Sequence, residues 1–404
     1  MTTRFDRAYG VGLAYRPEMH RAILDGAAEI DLVEIPTEDY IIRGRKLVND
    51  PHGRVLREVM GRLPAVAHGI HISLGSVEPH DRPTLDRTVA LLQEHGLAHF
   101  SEHLAYQRMD GTDLQMFQCL PFEESAAQWV AAKYHQVRAR LPEPMGLENV
   151  SYYSPVPHSP LDEAAFLTRV TELTDCTLLL DVTNVYNNAV NHGYDAVEFI
   201  RRLPGDRVEQ LHLAGGHYSN GILQDSHSQP VMPPVWDLLH EVLEQTAAQC
   251  VILERDSNFE PFENVMKDVR HAREIFRQHR PSTPPAESGH NGRASRSPLS
   301  ADDADRRVEQ LLSDCEVRQL GGFQSATVAA ITDPQVRRLW ADSPEAVAER
   351  FGLDRRWTER WLACDRSRLE LLQRKWGHIE SETRQEQEMF AIYEWQAWAK
   401  QNAG

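Results

Sequence analysis

The 404-residue chain is 41% hydrophobic and 25% charged, the balance of an ordinary globular protein, which excludes disorder and collagen-like structure without selecting a function. Asp and Glu outnumber Lys and Arg by 60 to 43, and a net charge of −17 disfavours a chain whose main partner is a phosphate backbone, since such affinity comes from clustered Lys and Arg. The length suffices for two domains, the larger with a full core.

The opening MTTRFDRAYG has no apolar stretch after its charges, and nowhere do as many as about 18 apolar residues run together, so neither a signal peptide nor a membrane span is expected. Cys119, Cys176, Cys250, Cys315 and Cys364 lie far apart, odd in number and without a CxxC pair, which fits a reducing compartment. A cytoplasmic location is the expectation.

From residue 10 onward, short β-rich runs alternate with longer helical patterns. The predicted strands are 10–15, 30–35, 65–72, 99–105, 145–150, 177–182, 208–214 and 250–256, each followed by enough chain for a crossover helix. Eight such units suggest a TIM-like (β/α)8 barrel over residues 1–278. The alternative is an open doubly wound sheet, but no GxGxxG follows the first strand to support its dinucleotide-binding form. The run TLLLDVTNVYNNAVNH is the most informative stretch: an apolar strand that must be covered on both faces, expected to deliver Asp181, Asn184, Asn187, Asn188 and His192 into a loop. Catalytic groups of a barrel come from the carboxyl ends of several strands. The predicted strand ends carry Glu34, His68 with His71, His103, Glu148 with Asn149, Asp181, His212, and Glu254 with Asp256.

Residues 279–300, rich in Pro, Ser and Gly, read as a flexible linker. Residues 301–404 read as a small all-helical domain. Val308, Leu311 and Leu312 have helical spacing, and Ser343-Pro344-Glu345 supplies an N-cap and first turn for AVAERF, which closes on Gly352. Further helices run through Trp357, Trp361, Leu369, Leu372 and Trp376, then Phe390, Tyr393 and Trp398. Six of the eight tryptophans lie here, either in a core or on a surface for a partner. VAERFGLDRRWTERWL also has a helix-turn-helix character that raises DNA binding as an alternative, although Arg355, Arg356 and Arg360 sit among many acids.

A lone strand-end histidine is ordinarily a satisfied structural residue. Several His and carboxylate side chains aimed at one cavity are different, because buried charges must be paired or bind metal. The candidates are His68, His103, Glu148, Asp181, His212 and Glu254, joined by Asp225 and His227 from DSHSQPV. No cysteine lies among them, which removes a soft-sulfur site. Imidazole suits Fe and Zn, a carboxylate can bridge two cations, and two His with carboxylates and open positions is a non-haem iron set.

The ordered series GVGLAYRPEM, VEIPTEDY, AHGIHISLGS, SEHLAY, LENVSYY, LLLDVTNVYNNAVNHGYDA, LHLAGG, DSHSQPVMPPVW and ILERDSNF resembles the DUF692 family, the multinuclear non-haem iron-dependent oxidative enzymes, over residues 8 to about 278. The resemblance implies a TIM barrel holding two or three irons, mixed ferrous and ferric, with O2 as co-substrate, acting on a ribosomally made precursor peptide, usually at cysteine. His68, His103, Glu148, Asp181, His212 and Glu254 match the family's ligand positions. Glu148 matches a bridging carboxylate, and Asp225 and His227 match the pair that helps hold a further metal and takes part in catalysis. Asn149, Asn184 and His192 fall in matching motifs as substrate-side residues. Two departures stand out. The usual LAGH is LAGG here, with His217 one place later, and His71 replaces a small or hydroxyl residue, which makes it a candidate pocket residue of catalytic relevance.

Relatives act with a small partner protein that binds the precursor's leader, so the fused helical segment is expected to replace that partner and assist peptide docking. Two other classes remain open: a zinc or manganese hydrolase or sugar isomerase on the same barrel, and a non-catalytic peptide- or DNA-binding protein.

Overall fold

Eight strands pair in parallel and close into a barrel in a computed structural model, which describes residues 10–38, 57–97, 99–141, 145–280 and 299–377. In chain order the strands are β1 (Gly10–Ala14), β2 (Val33–Pro36), β3 (Ala65–Gly69), β4 (Phe100–His103), the hairpin β5 (Tyr106–Met109) and β6 (Thr112–Gln118), β7 (Gly146–Glu148), β8 (Thr177–Asp181), β9 (Val208–Leu213), the hairpin β10 (His217–Ser219) and β11 (Ile222–Gln224), and β12 (Cys250–Leu253). β1 pairs with both β2 and β12, so the sheet is closed and the open-sheet alternative is excluded.

The barrel strands are buried along nearly their whole length because helices cover the outside and side chains fill the lumen. Leu178, Leu179 and Leu180 are at most 2% exposed. Register then sets the height of the polar ends. His103 on β4 is level with Glu148 on β7, and Asp181 on β8 is level with His212 on β9.

Two features depart from expectation. The stretch after Asp181 is not a loop but the helix Val182–His192, closed by Gly193 in the left-handed region. Asp181 is itself the N-cap, one carboxylate oxygen accepting the Asn184 N–H at 2.8 Å, so the last strand residue also starts the helix. The two hairpins were unforeseen: β5, β10 and β11 are only three or four residues long, although β6 alternates in burial from Leu114 to Gln118. Both rise after barrel strands that end at the same mouth.

The helices Ala301–Leu312, Cys315–Thr332, Pro334–Asp342, Pro344–Arg350 and Arg355–Leu362, and a last helix over 366–377, follow the barrel. Pro344 starts its helix as the sequence predicts and Gly352 is left-handed, but Ser343 makes no side-chain cap, its own N–H being held by Leu339. Trp340, Trp357 and Trp361 are buried together with Phe323, whereas Leu312 faces solvent. Phe390, Tyr393, Trp398 and most of the predicted linker lie outside the described residues.

These helices share one continuous apolar core with the barrel. Buried Gln324 locks the join: its amide donates to the Gly75 carbonyl at 2.7 Å and its oxygen accepts the Val77 N–H at 2.9 Å. Arg360, stacked over Trp357, donates to Glu123 at 2.6 Å, both side chains being at most 4% exposed. The helix-turn-helix arginines are committed likewise, Arg356 to Glu316 and Arg355 to Glu359.

Breaking a buried pair by removing one partner leaves an uncompensated charge. Arg360→Met should therefore lower unfolding free energy by about 3 kcal/mol in urea titrations, and adding Glu123→Gln should recover part of that loss.

Candidate metal centre

The carboxyl ends of six barrel strands deliver the polar side chains to one point. His68 is the penultimate residue of β3, His103 ends β4, Glu148 ends β7, Asp181 ends β8, His212 lies near the end of β9, and Glu254 follows β12. Glu148 lies at the centre. Its Oε2 stands 3.1 Å from His68 Nε2 and 3.0 Å from His103 Nε2, while its Oε1 stands 3.0 Å from His212 Nδ1. His212 Nδ1 is also 3.1 Å from Glu254, and His227 Nε2 is 3.0 Å from Asp225 and 3.7 Å from Glu254.

Three groups follow that could each hold a cation: His68 with His103 and Glu148; Glu148 with Asp181, His212 and Glu254; and Asp181 with Asp225 and His227. Glu148 belongs to the first and second, and Asp181 to the second and third. Carboxylates, which can bridge two cations, therefore occupy both junctions.

The geometry fits cations better than it fits an internal hydrogen-bond network. Glu148 Oε2, Asp181 Oδ2, Asp225 Oδ1 and His227 Nε2 are buried yet meet no hydrogen-bond geometry, although Glu148 and Asp225 stand about 3 Å from imidazole nitrogens. The Nε2 atoms of His68 and His103 face each other at 3.4 Å. Such convergent lone pairs are what coordination requires, and without a cation they cost free energy.

The far side of each ring is occupied, which fixes its orientation. His68 Nδ1 meets Ser101 Oγ at 2.8 Å, and His103 Nδ1 meets the Gly69 carbonyl at 3.0 Å while its ring stacks on Phe117. His212 Nε2 is 3.0 Å from Glu34, which also accepts from Gln210. His227 Nδ1 is 3.1 Å from Asp256, itself bridged to Arg16. His227 has a φ of 49°, a left-handed conformation that a non-glycine residue adopts at a cost, and that cost is borne at the mouth of the site.

Electrostatics follow from the same crowding. Burial alone would push His68 down, but Glu148, by charge and hydrogen bond, and Glu34 beyond it hold the ring up at about 9. His212 and His227 are likewise raised against their burial, chiefly by Glu254 and by Asp225. Burial would raise Glu254, yet His212 and His227 bring it down to about 2. Asp181 goes the other way, raised by burial and by the charges of Asp225, Glu148 and Glu254.

Above this cluster lies a cavity of about 270 Å³. Phe117 and Met116 of β6, Ser226 and His227 beyond β11, Tyr153 and Asn184 form much of its wall. The C-terminal helix over 366–377 adds Leu372 and Lys375.

Of the other residues singled out in the sequence, Asn184 lines the cavity, but Asn149, His192 and His71 do not. The Asn149 amide clamps the end of β8, donating to the Asp181 carbonyl and accepting the Asp181 N–H. His192 lies at the far end of its helix, stacked on Tyr152 with Nε2 at the Tyr152 carbonyl. His71 is turned toward Gln107, its backbone N–H held by buried Glu38. His217 is carried outward on β10 to Ser226, because a side chain at Gly216 would strike the Gln224 carbonyl and one at Gly215 that of Gln229. Sequence reasoning gave no role to Glu34, Ser101 or Asp256 behind the rings. Glu34 and Asp256 were visible as strand-end carboxylates. It also missed Tyr153, Leu372 and Lys375, for which no local pattern exists.

Residues 10–277 match the family model described as "RiPP precursor modification enzyme MbnB/TglH/ChrH". The chain is 36% identical over 278 residues to a UPF0276 protein of Nitrosospira multiformis, covering 68% of this chain and 96% of that one. It is 36% identical over 275 residues to a UPF0276 protein of Pseudomonas aeruginosa, covering 67% and 93%. Among solved structures, an L-ribulose 3-epimerase aligns at 16% identity with a TM-score of 0.42, covering 77% of this chain and 97% of that one.

In the metal-free protein, protons would take the place of cations. His68 keeps its proton until pH rises through about 9, so loading the metal-free protein with Zn2+ at pH 7 should release protons, and apparent affinity should climb with pH up to about 9. Calorimetry in two buffers of different ionisation heat checks this, and pH-independent uptake would contradict it. By the same sign, the stability that His68 lends the metal-free protein is fully present below about 6.5 and is lost as pH rises through 9.

Proposed function

Because the chain belongs to the MbnB/TglH/ChrH family of RiPP precursor modification enzymes, the DUF692 family that its motifs resemble, we propose that it uses two or three irons and O2 to oxidise a residue, cysteine foremost, of a ribosomally made precursor peptide. The observation that carries this reading is the sharing of Glu148 and Asp181 between neighbouring His and carboxylate groups. A single-metal hydrolase needs no such chain of junctions.

His68, His103, Glu148, Asp181, His212, Asp225, His227 and Glu254 would hold the metals. When bound, mixed ferrous and ferric irons supply activation of O2 and of the substrate thiol. The chain's own residues do the rest. Glu148 and Asp181, each shared by two ligand groups, would neutralise part of the charge of the cations held there. Glu34, Ser101, the Gly69 carbonyl and Asp256 keep each imidazole turned so that its free nitrogen faces the centre. Phe117, Met116 and Leu372 make an apolar wall that limits water around the reacting side chain.

Two hairpins standing at one mouth define where an extended peptide enters, with β6 on one side and the segment after β11 on the other. Asn184 is the substrate-side amide of the original three that can meet it. The C-terminal helices take the place of a separate leader-binding partner and assist peptide recognition, a reading supported by the residues they lend to the cavity wall. No described helix is long and apolar enough to cross a membrane, and all five cysteines are unpaired, which suits a reducing compartment such as the cytoplasm.

The expected outcome of Mössbauer and metal analysis on protein purified without oxygen is two or three irons per chain in both oxidation states. Zinc or manganese alone, persisting after anaerobic iron reconstitution, would redirect the assignment to hydrolysis or isomerisation. Glu148→Gln should lower iron content by at least one ion per chain and abolish peptide oxidation while the circular dichroism spectrum stays unchanged, because an amide cannot neutralise two cations. Full iron occupancy in that variant would contradict the bridging role.

A further inference from the structure

The C-terminal helix over 366–377 lies beyond the residues that the family match covers, yet it closes one side of the cavity. It is fixed there. Arg368 donates to the Tyr153 carbonyl and to the Asn191 carbonyl, both at 3.3 Å. Tyr153 is the shared piece of the wall: its hydroxyl accepts the Asp225 N–H at 3.0 Å, and its ring lies 5.1 Å from the Lys375 ammonium.

Lys375 is the one Lys or Arg among the cavity's described lining residues. It has a ring face beside it but no hydrogen-bonded or ion-paired partner among the described residues. Burial lowers its pKa while the charge of Asp225 raises it. An ammonium held in such a place is most stable against an anion that arrives with a ligand. Carboxylates are the anions a peptide carries. A phosphate site would present several backbone N–H groups or more than one cation, and the wall here presents one ammonium.

We propose that Lys375 is a substrate-binding residue whose ammonium takes a carboxylate of the precursor peptide, either the peptide's C-terminal carboxylate or an Asp or Glu side chain near the modified residue. This rests on the thiol-at-iron reading given above. The fused helices thereby act inside the active site, as a specificity wall, and not only as a docking arm for a distant leader.

The test uses the full-length, iron-loaded protein under anaerobic conditions and three thiol probes: N-acetylcysteine, N-acetylcysteine amide, and the peptide N-acetyl-Cys-Asp amide. Binding is read from thiolate-to-iron charge-transfer absorption, and iron per chain is measured in parallel. Wild type should bind at least one carboxylate-bearing probe about tenfold more tightly than the amide, the scale of one charge-assisted hydrogen bond. Which probe gains identifies the C-terminal or the side-chain source. Lys375→Met should erase the preference at unchanged iron content, and Lys375→Arg should retain most of it. Equal binding of all three probes by wild type, or a preference that survives in Lys375→Met, overturns the proposal while leaving the iron reading intact. Iron loss in Lys375→Met would make the lysine part of the metal site's charge balance and overturn it as well. Absence of a charge-transfer band with any thiol would remove the thiol-at-iron reading and this proposal with it.

Discussion

The structure depends on the concentration of buried carboxylates at one end of a closed barrel. Glu148, Asp181 and Glu254 are at most 8% exposed and lie within reach of His68, His103, His212 and His227. Groups of like sign in a low-dielectric interior repel strongly and must be compensated. Raised histidines supply positive charge in the metal-free protein, and cations would supply more. Either way the strands must hold the side chains together against that repulsion. A closed sheet, with each polar end continued by its own loop or helix, is rigid enough to do so.

Around that centre the second layer of contacts is as specific as the first. Every histidine of the cluster has its outer nitrogen facing a named partner, so the inner nitrogen is aimed without freedom to rotate. Asn149 does comparable work on the backbone, tying the end of β7 to the end of β8 and setting where Asp181 emerges. Asp181 then serves both as a helix cap, through the oxygen that accepts the Asn184 N–H, and as a member of two ligand groups.

The C-terminal helices extend this logic. Their attachment through Gln324 and the buried Arg360–Glu123 pair makes them part of the barrel's core. A wall element so fixed contributes to a cavity at little entropic cost each time a ligand enters.

The barrel and the side chains at its mouth were legible in the sequence because both are local features. A buried parallel strand is an apolar run, its polar terminus is the next residue along, and His68, His103, Glu148, Asp181 and His212 could be read one strand at a time. What the tertiary structure decided was non-local. That Glu34 backs His212 and that His71 and His192 turn away depends on contacts between segments tens of residues apart, and that Gly216 leaves no room for a histidine depends on how the β10–β11 hairpin folds back on it. Lys375 reaches a cavity built by residues more than a hundred positions earlier, and no period or motif in its own helix marks it, because the meaning of that lysine lies in what it is packed against.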